Sequence, residues 1–306
     1  ARFEKIVRMY PDRLAAKKQD DFLTYDTLNR AANRVARMII NRLGRGNNPI
    51  VIFSEQNLTA IVFSLAIWKS GKILIAIESS WPGEQTILTI KDMQPEAILT
   101  TDASIYLSDK VKARFTAPIM EVDPFAIDGL SENLNFQIAS ETSADVRYSS
   151  GSSGKPKGIV RSHRRLLSSA RSTINFAHLC PDDRLIALTK LSFGGRDLLR
   201  SLLCGAAVFP FDIQKDGVLD LVRLLKSERI TCYQSVPSIF RSVVRTFEET
   251  DRFPFIRLLQ LGGELLYRSD VDAYRKHFPD ECILTNRLSA GEAGNYAPIR
   301  QRAHLA

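Results

Sequence analysis

A repeated rhythm constrains this chain more than any single residue does. Short runs rich in β-branched residues alternate with amphipathic stretches of helical length. In the first half, 49–53, 73–77 and 96–100 read as strands, with helices at 57–70 and 82–93 between them. In the second half, 144–149, 184–188, 206–211, 230–233, 256–261 and 282–285 read as strands, separated by helical stretches such as 216–227 and 238–247. Strands joined through helices pair parallel, because each connection must cross back over the sheet. The expected fold class is therefore α/β, with two packed, mostly parallel sheets covered by helices. A chain of 306 residues that is 44% hydrophobic is long enough to bury such a core.

The first helix is expected from Asp26 as N-cap, with Leu28, Ala32, Val35, Ala36 and Ile39 on one stripe, Gly44 as the stop, and Arg30, Arg34 and Arg37 facing water. Residues 121–146 carry no Lys or Arg and are rich in Asp, Glu, Ser and Pro, and this segment is expected to cross the surface where two α/β halves join. The formal charge of +8 suits anionic partners without choosing among them. Cys180, Cys204, Cys232 and Cys282 are too far apart to form a C-x-x-C pair, the apolar run 60–68 is too short to span a bilayer, and the first ten residues contain no signal-peptide core. A cytoplasmic protein with no membrane partner is expected. The arginines at 161, 164 and 165 read as a solvated helix face rather than a nucleic-acid site, since no stacking aromatics accompany them.

The segment richest in chemistry is Tyr148-Ser149-Ser150-Gly151-Ser152-Ser153-Gly154-Lys155-Pro156-Lys157-Gly158, expected between a strand and a helix that starts near Ser162. Its glycines allow close backbone approach, its hydroxyls can donate hydrogen bonds and its lysines supply positive charge, which together suit a polyphosphate. It is not a Walker A loop, because Ser149 and Pro156 stand where that pattern needs Gly and a hydroxyl residue. Ser152 and Lys155 form S-x-x-K, but the companion motifs of penicillin-recognising hydrolases would lie upstream in reversed order. A plain Gly/Ser linker fits poorly with G-K-P-K-G between two regular elements.

This loop resembles Y-T-S-G-[ST]-T-G-x-P-K-G, the signature of adenylate-forming enzymes: acyl- and aryl-CoA ligases, luciferases and the adenylation domains of nonribosomal peptide synthetases. Ser149 and Ser153 replace threonines and keep the hydroxyls. Further matches follow in family order. Leu23-Thr24-Tyr25 with Leu28 is similar to L-T-Y-x-E-L, and Lys69-Ser70-Gly71 with Trp81-Pro82 to K-A-G-x-A-Y-V-P-x-D-P-x-[WY]-P. Gly262-Gly263-Glu264 resembles the G-G-E that closes over adenine, and Asn286 and Glu292 fit the ends of N-x-Y-G-x-T-E. Arg196-Asp197-Leu198-Leu199, followed by Leu202-Leu203 and Gly205-Ala206, is similar to an R-D-I-F-x-x-L-L-x-G-A variant of peptide-synthetase-like adenylation domains.

The resemblance implies the large N-terminal core of an adenylation domain over 1–306, with the small C-terminal domain and its catalytic lysine absent. It implies ATP-dependent activation of a carboxylic or amino acid as an acyl-adenylate, then transfer to the phosphopantetheine thiol of a carrier protein. Coenzyme A as acceptor and a non-catalytic binding protein are the alternatives. Ser149, Ser150, Gly151, Ser152, Ser153, Gly154 and Lys157 would surround the ATP phosphates, with Lys157 catalytic. Gly262, Gly263, Glu264, Asn286 and Leu288 would hold the nucleotide, and Glu292 would be catalytic and hold Mg²⁺. Leu288, Ser289 and Gly291 stand where the family has Tyr, Gly and Thr. In amino-acid-activating relatives an Asp follows the phenylalanine of the substrate motif. Here that place falls on Ser192, or on Gly194 if the comparison slips by two, with Phe193 between them. His163 is read as a helix-start packing residue.

Overall fold

In the computed structural model, residues 2–78, 81, 83–102, 114, 116–149, 157–193, 195–287, 289–290, 294–295 and 299–302 are described. Strands β3 (Pro49–Ser54), β4 (Ile73–Glu78), β5 (Ala97–Thr100), β6 (Ile119–Glu121), β7 (Ser143–Ser149) and β8 (Lys157–Ser162) form one sheet in the order β6-β5-β3-β4-β7-β8. All its neighbours pair parallel except the edge pair β7–β8. The second sheet runs from the strand at Ile299–Arg302 through β13 (Ile283–Arg287), β12 (Leu258–Gly262), β11 (Cys232–Ser235), β9 (Arg184–Ala187) and β10 (Ala207–Pro210) to β1 (Leu14–Lys18) and β2 (Asp21–Thr24). It too is parallel except at its two edge pairs. The expected fold class is therefore the observed one.

Side-chain alternation along the strands sets the layers. On the first sheet Ile50, Ile52, Leu74 and Leu99 face a core shared with α2 (Tyr25–Leu43), α3 (Leu58–Ser70), α5 (His163–Ala177) and α6 (Arg196–Cys204), whereas Val51, Phe53, Ile75, Ile77 and Ile98 face α4 (Gly83–Met93). On the second sheet Ala187 and Val208 join the shared core, while Ile186, Phe209, Leu259 and Leu261 pack with α8 (Val218–Ser227), α9 (Pro237–Val244) and α10 (Arg268–His277). Strands buried on both faces explain why the runs read as continuously apolar. Helix α3 is apolar all round for the same reason.

The chain starts in the second sheet, passes through α2 into the first, and returns through α5. The segment around 121–146 therefore does not join two halves, because it connects β6 and β7 of one sheet. It crosses the surface over α2. Asn29 and Asn33 donate to Asn133 Oδ1 at 3.0 and 3.1 Å, and Arg37 donates to the Glu132 carbonyl at 2.8 Å. Arg37 is thus a clamp on this segment rather than a solvated residue.

Helix α2 is capped by Thr24, not Asp26: Thr24 and Thr27 exchange backbone-to-hydroxyl bonds at 2.9 and 3.2 Å. Asp26, in the first turn, pairs with Arg30 at 2.7 Å. The helix expected at 216–227 is broken at Gly217, whose φ of +85° separates α7 (Ile213–Asp216) from α8. The β1–β2 hairpin was not anticipated, since Leu-Ala-Ala-Lys-Lys carries little strand propensity. Its partner β10 supplies the pairing instead.

The L-T-Y match has a structural job. Thr24 caps α2, and Tyr25 is fully buried with its hydroxyl 2.8 Å from the Ala206 carbonyl and 3.2 Å from that of Ser201, tying α2 to the end of α6. Tyr25→Phe leaves both carbonyls without this donor and should lower unfolding stability by about 1–3 kcal/mol. Urea denaturation of the variant with an unchanged m-value is the check.

Candidate functional site

A cavity of about 730 Å³ opens where the carboxyl ends of both sheets meet. The first sheet contributes Arg147 and Tyr148 of β7, Gln56 beyond β3 and Trp81 beyond β4. The second contributes residues following β9 and β10 and the ends of β11, β12 and β13. Ligand crevices of open parallel sheets form at this end of the strands.

The two sheets are fastened together beside the cavity. Gln56 Nε2 donates to the Ala187 carbonyl at 2.9 Å, and Lys190 Nζ donates to Glu78 Oε2 at 2.7 Å. The Ser192 hydroxyl donates to the other oxygen of Glu78. Ser192, the expected substrate residue, does line the cavity, but its proton is committed to a carboxylate on the opposite sheet. Phe193 ends the short turn Leu191–Phe193, and Gly194 lies outside the described residues.

The Gly/Ser/Lys loop leaves and rejoins the site at the cavity itself, since Tyr148 before it and Ile159 after it both line the wall. Ser149 and Lys157 face each other across the antiparallel β7–β8 pair. The loop therefore joins two strands, not a strand and a helix. Helix α5 begins only at His163, capped by the Ser162 hydroxyl, which accepts from Arg165 N–H at 3.3 Å. His163 takes the expected place as first residue of that helix, where burial lowers its pKa. The β8 strand was missed because six residues separate the motif's proline from the helix, too few to show an alternation.

Ser150, Gly151, Ser152, Ser153 and Gly154 lie outside the described residues, as do the side chains of Ser149 and Lys157. Around them, Tyr148 Oη donates to Asp92 at 2.7 Å, and burial followed by this carboxylate raises the phenol pKa. A Cβ on Gly158 would sit 3.2 Å from Val146 Cγ1 and 3.5 Å from the Tyr148 ring, so the glycine of Lys157-Gly158 lets β8 lie flat against that ring.

Gly262 and Gly263 also line the cavity. A Cβ on Gly262 would run into the carbonyl and Cβ of Arg287 on β13, and Gly263 has φ +90°. Glu264 is engaged elsewhere. Its carboxylate accepts from Ser238 N–H at 2.9 Å and Ser238 Oγ at 2.8 Å, capping α9, whose N-cap Val236 has no side chain to do so. Asn286 sits in β13 paired with Leu261 and is not among the lining residues; Leu288 and Glu292 lie outside the described residues.

The cavity also holds side chains that motif reading did not single out as site residues: Arg147, Lys190, Asp197, Gln234, Gln260 and Arg287. Asp197 and Gln260 could have been suspected as polar residues in apolar runs; the others had no such signal.

The family model described as AMP-binding enzyme matches residues 3–291. The chain belongs to the AMP-binding enzyme family. Among curated proteins it is 27% identical over 292 residues to bacitracin synthase 3 of Bacillus licheniformis, covering 93% of this chain and 4% of that one. It is 28% identical over 268 residues to gramicidin S synthase 2 of Brevibacillus brevis, covering 86% and 6%. The chain thus spans a small fraction of the length of these synthetases.

Among solved structures, the N-terminal subdomain of Klebsiella oxytoca NpsA superimposes with a TM-score of 0.83 at 17% identity, covering 98% of this chain and 76% of that one. VinN in complex with L-aspartate gives 0.84 at 19%, covering 97% and 77%. The fold is that of the N-terminal core of an adenylation domain in this family. No helix among the described residues is long and apolar enough to cross a membrane.

The close approach at Gly262 makes a direct prediction. Gly262→Ala forces β12 and β13 apart beside the cavity and should cost about 1–3 kcal/mol of stability, as overpacking does. Differential scanning calorimetry should show a lower Tm; an unchanged Tm would mean that the strands absorb the methyl group.

Proposed function

We propose that the protein containing this chain uses ATP to activate a carboxylic or amino acid as an acyl-adenylate, releasing pyrophosphate, and then passes the acyl group to the phosphopantetheine thiol of a carrier protein. One observation carries the first step: the Gly/Ser/Lys loop departs and returns at the wall of the large cavity built from both sheets' carboxyl ends. The relatives that support this reading are named as synthases of bacitracin and of gramicidin S. One similar solved structure is an artificially fused adenylation–PCP di-domain of NpsA, and another, FmoA3, is an AMPPNP-bound form.

The chemistry asks little of proton transfer. A substrate carboxylate is ionised at neutral pH, so its oxygen attacks the α-phosphorus without a general base. Its oxygen forms the new P–O bond as the bond to pyrophosphate breaks. What the site must supply is alignment and neutralisation of charge. In this reading the hydroxyls and backbone of 149–154 and the Lys157 ammonium grip the β- and γ-phosphates. Gly262 and Gly263 leave a flat wall for the adenine. Arg147 and Arg287 line the cavity with Asp197 and Asp212, while Lys190 on the same wall is held by Glu78.

Mg²⁺ would arrive on the triphosphate and take Glu292 as a protein ligand, since this cation is commonly held by one or two carboxylates together with substrate phosphates. When bound it would offset phosphate charge. Among the described residues no group of three or more His, Cys, Asp or Glu forms a cage, and Glu292 lies outside them.

Lys157→Ala should weaken ATP binding and slow pyrophosphate exchange by about a hundredfold, as loss of a preorganised phosphate contact does. Lys155→Ala should change it by no more than about threefold, because its motif position accepts many residue types. ATP–pyrophosphate exchange by the full-length protein with each variant is the measurement, and equal losses at both lysines would show the phosphates to be misplaced.

A further inference from the structure

We propose that Asp197, not the residue at position 192, recognises the ammonium group of the substrate acid. The inference rests on the adenylation reading and names the residue that gives that reaction its preference for amine-bearing substrates.

Position 192 offers a cation only a neutral hydroxyl oxygen and no carboxylate. The Ser192 hydroxyl donates to Glu78, and Glu78 also receives Lys190 at 2.7 Å, so this carboxylate is already balanced. Asp197 also has a cation beside it, Arg200, but its hydrogen-bonding capacity is unfilled among the described residues. It stands in the first turn of α6, 2% exposed, and lines the cavity. Neither of its carboxylate oxygens has a hydrogen-bond partner among the described residues. Arg200 Nη2 lies 3.0 Å from Oδ1 and balances charge without meeting hydrogen-bond geometry, while Arg200 Nη1 donates to Gln260 Oε1 at 3.1 Å.

A buried carboxylate with unfilled lone pairs is costly, and it is retained where a ligand fills them. A second unfilled acceptor borders the same cavity: Gln234 Oε1 is buried without a partner among the described residues, and Gln234 stands beside Gln260 in the β11–β12 register. A primary ammonium carries three N–H donors and no acceptor, which matches the unfilled acceptors of Asp197 and Gln234, two residues that line this cavity. An amine-free acid would leave those oxygens unmet. The helix N-terminus at Asp197 favours its negative charge, and a side chain on a helix is a rigid anchor.

The test uses the full-length protein and ATP–pyrophosphate exchange over the proteinogenic amino acids and β-alanine, each paired with its des-amino analogue. The wild type should favour at least one amine-bearing acid over its analogue by about a hundredfold in kcat/KM, the discrimination a site built for a hydrogen-bonding group can give. Asp197→Asn should collapse that ratio to within about tenfold, through the KM of the amine-bearing acid, with the KM of ATP unchanged and the Tm lowered by the loss of Arg200's counter-ion. If the Asn variant fails to fold, Asp197→Glu keeps the charge opposite Arg200 while moving it by one methylene, and should raise the same KM by about tenfold. A ratio preserved in the variant, an equal loss on both acids of a pair, or a wild type that prefers amine-free acids overturns the inference while the adenylation reading stands. A folded wild type that exchanges pyrophosphate with no acid overturns both.

Discussion

The buried carboxylate of Glu78 is the interaction on which the site depends. It closes β4 of one sheet and receives Lys190 and Ser192 from the segment that follows β9 of the other. Burying an ion pair costs desolvation that its attraction barely repays, so such a pair serves orientation better than stability. Here it sets the height at which two independent sheets present their carboxyl ends. Gln56, reaching from beyond β3 to the Ala187 carbonyl, repeats the tie with a neutral hydrogen bond. The apolar core of α2, α3, α5 and α6 holds the sheets apart at helix thickness, and these polar bridges fix their register.

That arrangement gives the cavity its chemical character. Each parallel strand ends at the same rim, so residues far apart in sequence, from Gln56 to Arg287, line one space. The glycines are needed where backbone approaches backbone or ring: Gly262 against Arg287 and Gly158 against Tyr148. They explain why two of the motifs contain glycine without any appeal to the ligand. Glu264 shows the reverse, a motif residue whose visible work is to cap α9.

Much of the fold was legible in the sequence, for a physical reason. Strands buried on both faces must be continuously apolar, and α3, shielded on all sides, cannot hide its composition. What failed was everything set by long-range pairing. The β1–β2 hairpin borrows its stability from β10, β8 borrows its own from β7, and the 121–146 segment owes its course to Asn29, Asn33 and Arg37 on α2. The site was legible as motifs and not as a wall: the Gly/Ser/Lys segment, whose flanks border the cavity, and the Gly262-Gly263 pair stand out in the sequence, whereas Asp197, Gln234 and Arg287 meet only once the sheets are stacked.

The central claim is that a carboxylate oxygen attacks the α-phosphorus of ATP in the cavity between the two sheet ends. Isotope transfer tests this whichever acid is the substrate. The full-length protein is incubated with ATP and a mixture of amino and carboxylic acids labelled with ¹⁸O in the carboxyl group, and the AMP released is examined by mass spectrometry. The account predicts AMP carrying one ¹⁸O, because the oxygen that bonds to phosphorus stays with it when the acyl group leaves for a thiol or for water. AMP without label, or ADP and labelled inorganic phosphate as the products, would contradict it.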